Sequence, residues 1–103
     1  EMKGSHTGWL AFPILINKNA PFSRKEFQIF LEERNIQTRV VFTGNILRQP
    51  MCKNINKKVL QTGYPNADSI MERGVLLPLH HGLNKEMLKK LHETVDLFIS
   101  KFN

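Results

Sequence analysis

Cysteine is all but missing from this chain: Cys52 stands alone among 103 residues. A single thiol cannot close an internal disulfide, and a zinc or iron–sulfur site built within the chain would lack its convergent ligands. That usage fits a reducing, cytoplasmic setting. His80 and His81 are neighbours, so on extended backbone their rings face opposite sides and do not chelate one metal. No apolar run reaches the length of a bilayer crossing, and no basic stretch followed by an apolar core resembles a signal peptide. No glycine-rich phosphate loop follows a strand, and His6 and His92 have no catalytic partner nearby in sequence. Asp68, Glu72 and Glu86 fall near expected helix ends, where a carboxylate complements the backbone dipole. Together these gaps argue against a metal protein, a membrane protein and a self-sufficient enzyme.

What remains is the composition of one ordinary soluble domain, 41% hydrophobic and 23% charged. A domain of this size buries roughly two-thirds of the surface its unfolded chain exposes. Residues 1–103 are therefore taken as one domain, with residues 1–8 as a linker; the start at Glu1 rather than methionine fits a piece of a longer protein. The formal net charge of +6 raises the question of nucleic acid. The lysines are scattered, however, and the densest group, Lys53 with Lys57 and Lys58, has no interleaved aromatics on which bases would stack. Solvated faces account for the excess, so neither nucleic acid nor a membrane is expected as a partner.

Hydrophobic patterning divides the chain into alternating elements. Trp9, Phe12, Ile14, Leu15 and Ile16 give a first strand over 9–17, which Asn19-Ala20-Pro21 ends. Ser23 followed by Glu26 is a capping box and predicts a helix over 24–34, with Phe27, Phe30 and Leu31 on its buried face. A second strand is expected over 37–42, a long irregular stretch over 43–64, a short helix over 65–71 ended by Arg73-Gly74, and a third strand over 75–79. Asn84 caps a last helix in which Leu88, Leu91, Val95, Phe98 and Phe102 form one stripe. The fold class that follows is α+β: a two-layer α/β sandwich with a small, three-stranded, largely antiparallel sheet and two or three helices on one face.

The segment 38–50 concentrates the chemistry. A β-branched strand runs straight into a loop containing Gly44-Asn45 and Arg48-Gln49-Pro50, and Arg39 and Arg48 bracket the junction. The planar fork of arginine matches carboxylate or phosphate oxygens in pairs, so this arrangement points to an anionic ligand. Binding sites often lie between domains, one part carrying the reactive centre and the other closing over the substrate. The loop from Arg39 to Gln49, with the turn His80-His81-Gly82, suits the closing part.

Specific residues carry a family likeness: Trp9 with Phe12-Pro13, Ala20-Pro21-Phe22-Ser23-Arg24, Thr38-Arg39 through Phe42, Gly44-Asn45, Arg48-Gln49-Pro50, and Asn66 with Asp68 and Ile70-Met71. From about Trp9 to its end the chain resembles the C-terminal small domain of the DegT/StrS group of fold type I (pyridoxal-phosphate-fold) sugar enzymes, most closely the CDP-4-keto-6-deoxy-glucose 3-dehydrase branch of lipopolysaccharide biosynthesis. The resemblance implies a missing N-terminal large domain that carries pyridoxal phosphate or pyridoxamine phosphate and, in dehydrases, a histidine in place of the Schiff-base lysine, with any iron–sulfur cysteines also there. It implies a homodimer in the full-length form, a nucleotide-sugar substrate, and neither cofactor nor activity in this chain alone. The matching loop lines the sugar-nucleotide site in relatives, so the implied substrate contacts are Arg39, Phe42, Thr43, Asn45 and Arg48. Arg39 and Arg48 would meet anionic groups, Phe42 would pack on the sugar, and Thr43 and Asn45 would hydrogen-bond its oxygens. Leu10 and Ala11 replace an expected Phe and Gly, and His80-His81 replaces an aromatic residue and a proline, which leaves dehydration and amino transfer both open.

Two readings of other classes stand beside this one. A freestanding basic module for RNA or an acidic protein surface would lose affinity steeply with salt as counterions are released. A dimerisation domain would pair an apolar strand edge with its own copy, which sedimentation would detect.

Overall fold

In the computed structural model, which describes residues 3–103, residues 3–10 form neither strand nor helix and are exposed. The regular elements are β1 (Ala11–Leu15), α1 (Arg24–Glu32), β2 (Arg39–Val40), α2 (Pro65–Arg73), β3 (Gly74–Pro78) and α3 (Lys85–Ile99). Short 3-10 turns at Ile46–Arg48, Pro50–Cys52 and Ser100–Phe102 complete the path. The sheet has three strands in the order β1-β3-β2. β3 runs antiparallel to both neighbours, with Ile14 opposite Val75 and Arg39 opposite Leu76. The α+β class expected from the pattern is the observed one. β1 and β2 are joined through α1 but do not pair, because the last strand in sequence inserts between them, as in split βαβ units.

Local chemistry explains the element ends. The Ser23 backbone N–H donates to Glu26 Oε2 at 2.7 Å and the Glu26 N–H donates to Ser23 Oγ at 3.2 Å, so the capping box forms as written. The Ser23 hydroxyl also donates to Glu26 Oε2, at 2.7 Å, and the two donors favour the ionised Glu26, whose pKa is lowered mainly by the Ser23 backbone N–H. α1 ends earlier than its periodicity suggests because Asn35 adopts a left-handed conformation, φ 58°. The Ile36 N–H then returns to the Leu31 carbonyl and the Asn35 N–H to that of Glu32, each at 3.0 Å, a Schellman ending.

The second strand is far shorter than the expected 37–42. The Thr38 N–H donates not to a strand but to Glu32 Oε1 at 2.6 Å, and Thr38 Oγ1 donates to the same oxygen at 2.9 Å. Ladder pairing therefore begins only at Arg39. Beyond Val40, the backbone turns away; the Phe42–Thr43 peptide is cis and Gly44 sits at φ 68°. At the other boundary α2 passes into β3 without a loop. A Cβ on Gly74 would stand 2.6 Å from the Ile70 carbonyl oxygen and 2.9 Å from Val41 Cγ2, so only glycine allows this junction.

Alternation along β3 buries Val75 and Leu77, and α1 and α3 cover that face with Phe27, Phe30, Leu31 and Phe98. Phe98 is the hub: its ring lies 4.7 Å from Phe22, 5.2 Å from Phe27, 5.1 Å from Phe30 and 5.2 Å from Phe102, mostly edge-on or tilted. The expected α3 stripe is buried most deeply at this point, while Leu88 at one end and Phe102 at the other keep substantial exposure. Thr94 is buried as well, its hydroxyl donating to the Lys90 carbonyl at 2.7 Å.

Candidate functional site

The chain following β2 is fixed to α2 by a polar cluster. Asn45 is buried; its side-chain Oδ1 accepts from the Leu47 N–H at 3.1 Å, starting the 3-10 turn, and its Nδ2 donates to Asp68 Oδ1 at 2.7 Å. Arg48 reaches the same carboxylate in a bidentate fork, Nε to Oδ1 at 3.0 Å and Nη2 to Oδ2 at 2.9 Å. Three donors on one carboxylate hold its charged form, and the Asp68 pKa falls to about 2, chiefly through Arg48 and then Asn45. The Arg48 pKa rises for the same reason. Gln49 Nε2 donates back to the Thr43 carbonyl at 3.2 Å, closing the loop on itself. Gly44 lies so near α2 that a Cβ there would be 2.5 Å from Met71 Cβ.

The carbonyl end of α2 is secured from two sides. The Arg24 guanidinium donates to the Met71 carbonyl and that of Arg73 to the Ile16 carbonyl, placing cations where the helix dipole is negative. Behind this anchored backbone the loop turns apolar groups outward: Phe42 is 89% exposed and Met51 72%, with Ile46, Ile55, Val59 and Leu60 each about half exposed or more. Six apolar residues left exposed along one segment give a surface suited to being covered.

The five residues singled out by sequence separate into two places. Phe42, Thr43, Asn45 and Arg48 lie in the loop beside the start of β3, and Asn45, Arg48 and Asp68 line a cleft of about 210 Å³ with Tyr64. Arg39 lines a second cleft, of about 510 Å³, at the opposite end of the sheet where β3 leaves towards α3. His80, from the turn expected to assist, lines that second cleft too, and so does Lys90. His80 Nδ1 accepts from the Gly82 N–H at 3.1 Å, which fixes the ring within the turn. Among the described residues the Arg39 side chain has no hydrogen-bond or ion-pair partner. Asp68, which sequence position alone assigns to the first turn of α2, does lie there and also anchors the loop. A carboxylate within the same motif set as Asn45 and Arg48 was the available signal, but a pairing across 20 positions leaves no local trace. Lys90 carries no such signal on the exposed side of a helix.

A sequence profile of the DegT/DnrJ/EryC1/StrS aminotransferase family matches residues 1–96. The chain belongs to this family. Within it, the chain is 34% identical over 98 residues to the lipopolysaccharide biosynthesis protein RfbH of Salmonella typhimurium, covering 95% of this chain and 21% of that protein. It is 31% identical over 97 residues to the dTDP-4-dehydro-2,6-dideoxy-D-glucose 3-dehydratase of Saccharopolyspora spinosa, covering 94% of this chain and 21% of the relative. It is 28% identical over 87 residues to the dTDP-4-amino-4,6-dideoxy-D-glucose transaminase of Escherichia coli, with 84% and 23% covered. The fold matches a Bacillus cereus structure described as a PLP-dependent aminotransferase with a TM-score of 0.65 at 23% identity, over 84% of this chain and 22% of that one. The chain thus spans about a fifth of the length of the DegT-family relatives it matches.

Pyridoxal phosphate, which this family implies, needs an amine or its substitute at the reacting carbon and a partner for the pyridine nitrogen. The larger cleft offers Lys90 but no carboxylate, and the smaller one offers Asp68, already committed to Arg48 and Asn45, but no lysine. The described residues of this DegT-family chain do not fit the group by themselves. Nor, among the described residues, do His, Cys, Asp and Glu gather into a metal-binding set.

Proposed function

We propose that this chain is the C-terminal small domain that closes over the substrate of a pyridoxal- or pyridoxamine-phosphate enzyme of deoxysugar biosynthesis, acting as a nucleotide-sugar 3-dehydrase or aminotransferase. The profile match across residues 1–96 carries this reading, and the relatives' names narrow the substrate class to nucleotide-linked deoxysugars. The lipopolysaccharide assignment is supported by the likeness to RfbH. The cofactor belongs to a large domain outside this chain, and the small domain contributes substrate contacts and exclusion of water. Phe42, projecting from a loop anchored at its base, packs on the sugar; Thr43 hydrogen-bonds its oxygens; and Arg48 meets an anionic group. Arg39, whose side chain has no partner among the described residues, supplies a further cation in the larger cleft.

The test uses the full-length enzyme with its nucleotide-sugar. Arg39→Ala and Phe42→Ala are each expected to lower kcat/KM at least tenfold with an unchanged circular dichroism spectrum. Wild-type kinetics in both variants would remove this domain from the substrate site.

A further inference from the structure

Asp68 joins two loop residues in one set of bonds, and its position fixes which part of Arg48 remains available. The carboxylate takes Nε and Nη2 of Arg48, so the plane of the guanidinium is set and its Nη1 edge has no partner among the described residues. Asn45 is seated by the same oxygen that receives Arg48 Nε. The arginine side chain is nevertheless 64% exposed while Asp68 is 28% exposed, so the anchoring is on the inner side and the free edge looks outward. Arg48 itself lines the smaller cleft, together with Tyr64 and Val59. We propose that Asp68 is a positioning residue for substrate recognition: it holds Arg48 so that the Nη1 edge binds an oxyanion of the substrate, a phosphate or carboxylate, and holds Asn45 so that the loop bearing Phe42 and Thr43 keeps its shape.

This inference rests on the substrate-closing role just proposed, and it makes a separate demand. An arginine left without Asp68 would keep its charge but sample many rotamers, losing the preorganisation that makes a fixed fork effective. Removal of the carboxylate therefore acts through Arg48, and the two side chains are thermodynamically coupled. Asp68 itself touches no substrate. Asparagine at this position keeps the shape and one acceptor oxygen for Asn45 while discarding the charge that orients Arg48.

The experiment is a double-mutant cycle in the full-length enzyme with its nucleotide-sugar: Asp68→Asn, Arg48→Ala and both together, read as kcat and KM separately. Thermal unfolding and hydrogen exchange of amides 43–49 accompany each variant. The expected result is a KM raised about tenfold by either single change, no further rise in the double variant, and a cooperative unfolding transition retained in Asp68→Asn, with a melting temperature at or somewhat below that of the wild type. Asp68→Glu is expected to restore part of the lost affinity. Additive KM effects, or a wild-type KM in Asp68→Asn with Arg48→Ala impaired, would overturn the positioning role while leaving the closing role intact. A wild-type KM in Arg48→Ala would also overturn it, and Phe42→Ala measured alongside would then report whether the closing role itself survives.

Discussion

Beneath the sheet, Phe98 gathers the rings of Phe22, Phe27, Phe30 and Phe102, whereas behind β2 the carboxylate of Asp68 gathers Asn45 and Arg48. The first region is held by removing apolar surface from water, a force without direction that tolerates small shifts of each ring. The second is held by directed, charge-assisted bonds that join the buried Asn45 to the partly exposed Asp68 and Arg48, and these set orientation more than they add stability. The contrast divides the labour: the aromatic half supplies a rigid platform, and the polar half points a few side chains outward from it. It also accounts for the exposed apolar residues on the loop from Phe42 to Leu60, which lies outside the packed layer, while Trp9, Leu10, Phe12 and Leu15 make a second exposed apolar group on and before β1.

Removing the hub of the first region should give the largest effect. Phe98→Ala is expected to destabilise the fold by about 3–5 kcal/mol, the usual cost of emptying a buried phenylalanine site, as measured by urea unfolding. A loss under about 1 kcal/mol would mean that the cluster is not the platform. A smaller effect is expected where loop and helix touch. Gly44→Ala forces a Cβ into left-handed backbone, which costs about 1–2 kcal/mol before the encounter with Met71 is counted. Its signature is faster hydrogen exchange through 43–49, with the aromatic half unchanged.

The smallest effect concerns pH. The native Asp68 pKa, about 2, lies below that of a free carboxylate, so the stabilisation it brings is fully present above the unfolded value and is lost as pH falls through the native one. The protection of the loop amides relative to their intrinsic exchange should therefore be flat from neutral pH down to about 4, by the ordinary Asp pKa, and should fall only below it. An inflection near pH 6 in a carboxyl-resolved NMR titration would contradict the Arg48 and Asn45 assignment.

The aromatic half was more legible in sequence than the polar half, and the reason is range. Ser23 with Glu26 and Asn84 with the Met87 N–H act within one helical turn, so the letters disclose them directly. Phe27, Phe30 and Leu31 repeat at helical spacing, and their burial follows. By contrast, the length of β2 is decided by Glu32 capturing the Thr38 N–H, a side-chain bond that competes with the ladder and has no pattern of its own. The placing of β3 between β1 and β2, and the reach of Asp68 to Arg48, are tertiary facts of the same kind. For the candidate site, residue types were readable and grouping was not: Arg39 shares a cleft with His80 and Lys90, while Arg48 belongs with Asp68 at the far end of the sheet.

The claim that the loop after β2 faces a substrate is tested most directly by hydrogen exchange of the full-length enzyme with and without its nucleotide-sugar. Protection should appear across residues 42–48 on binding, with the amides around Phe98 unaltered. Exchange in 42–48 that stays the same at saturating nucleotide-sugar would contradict the account.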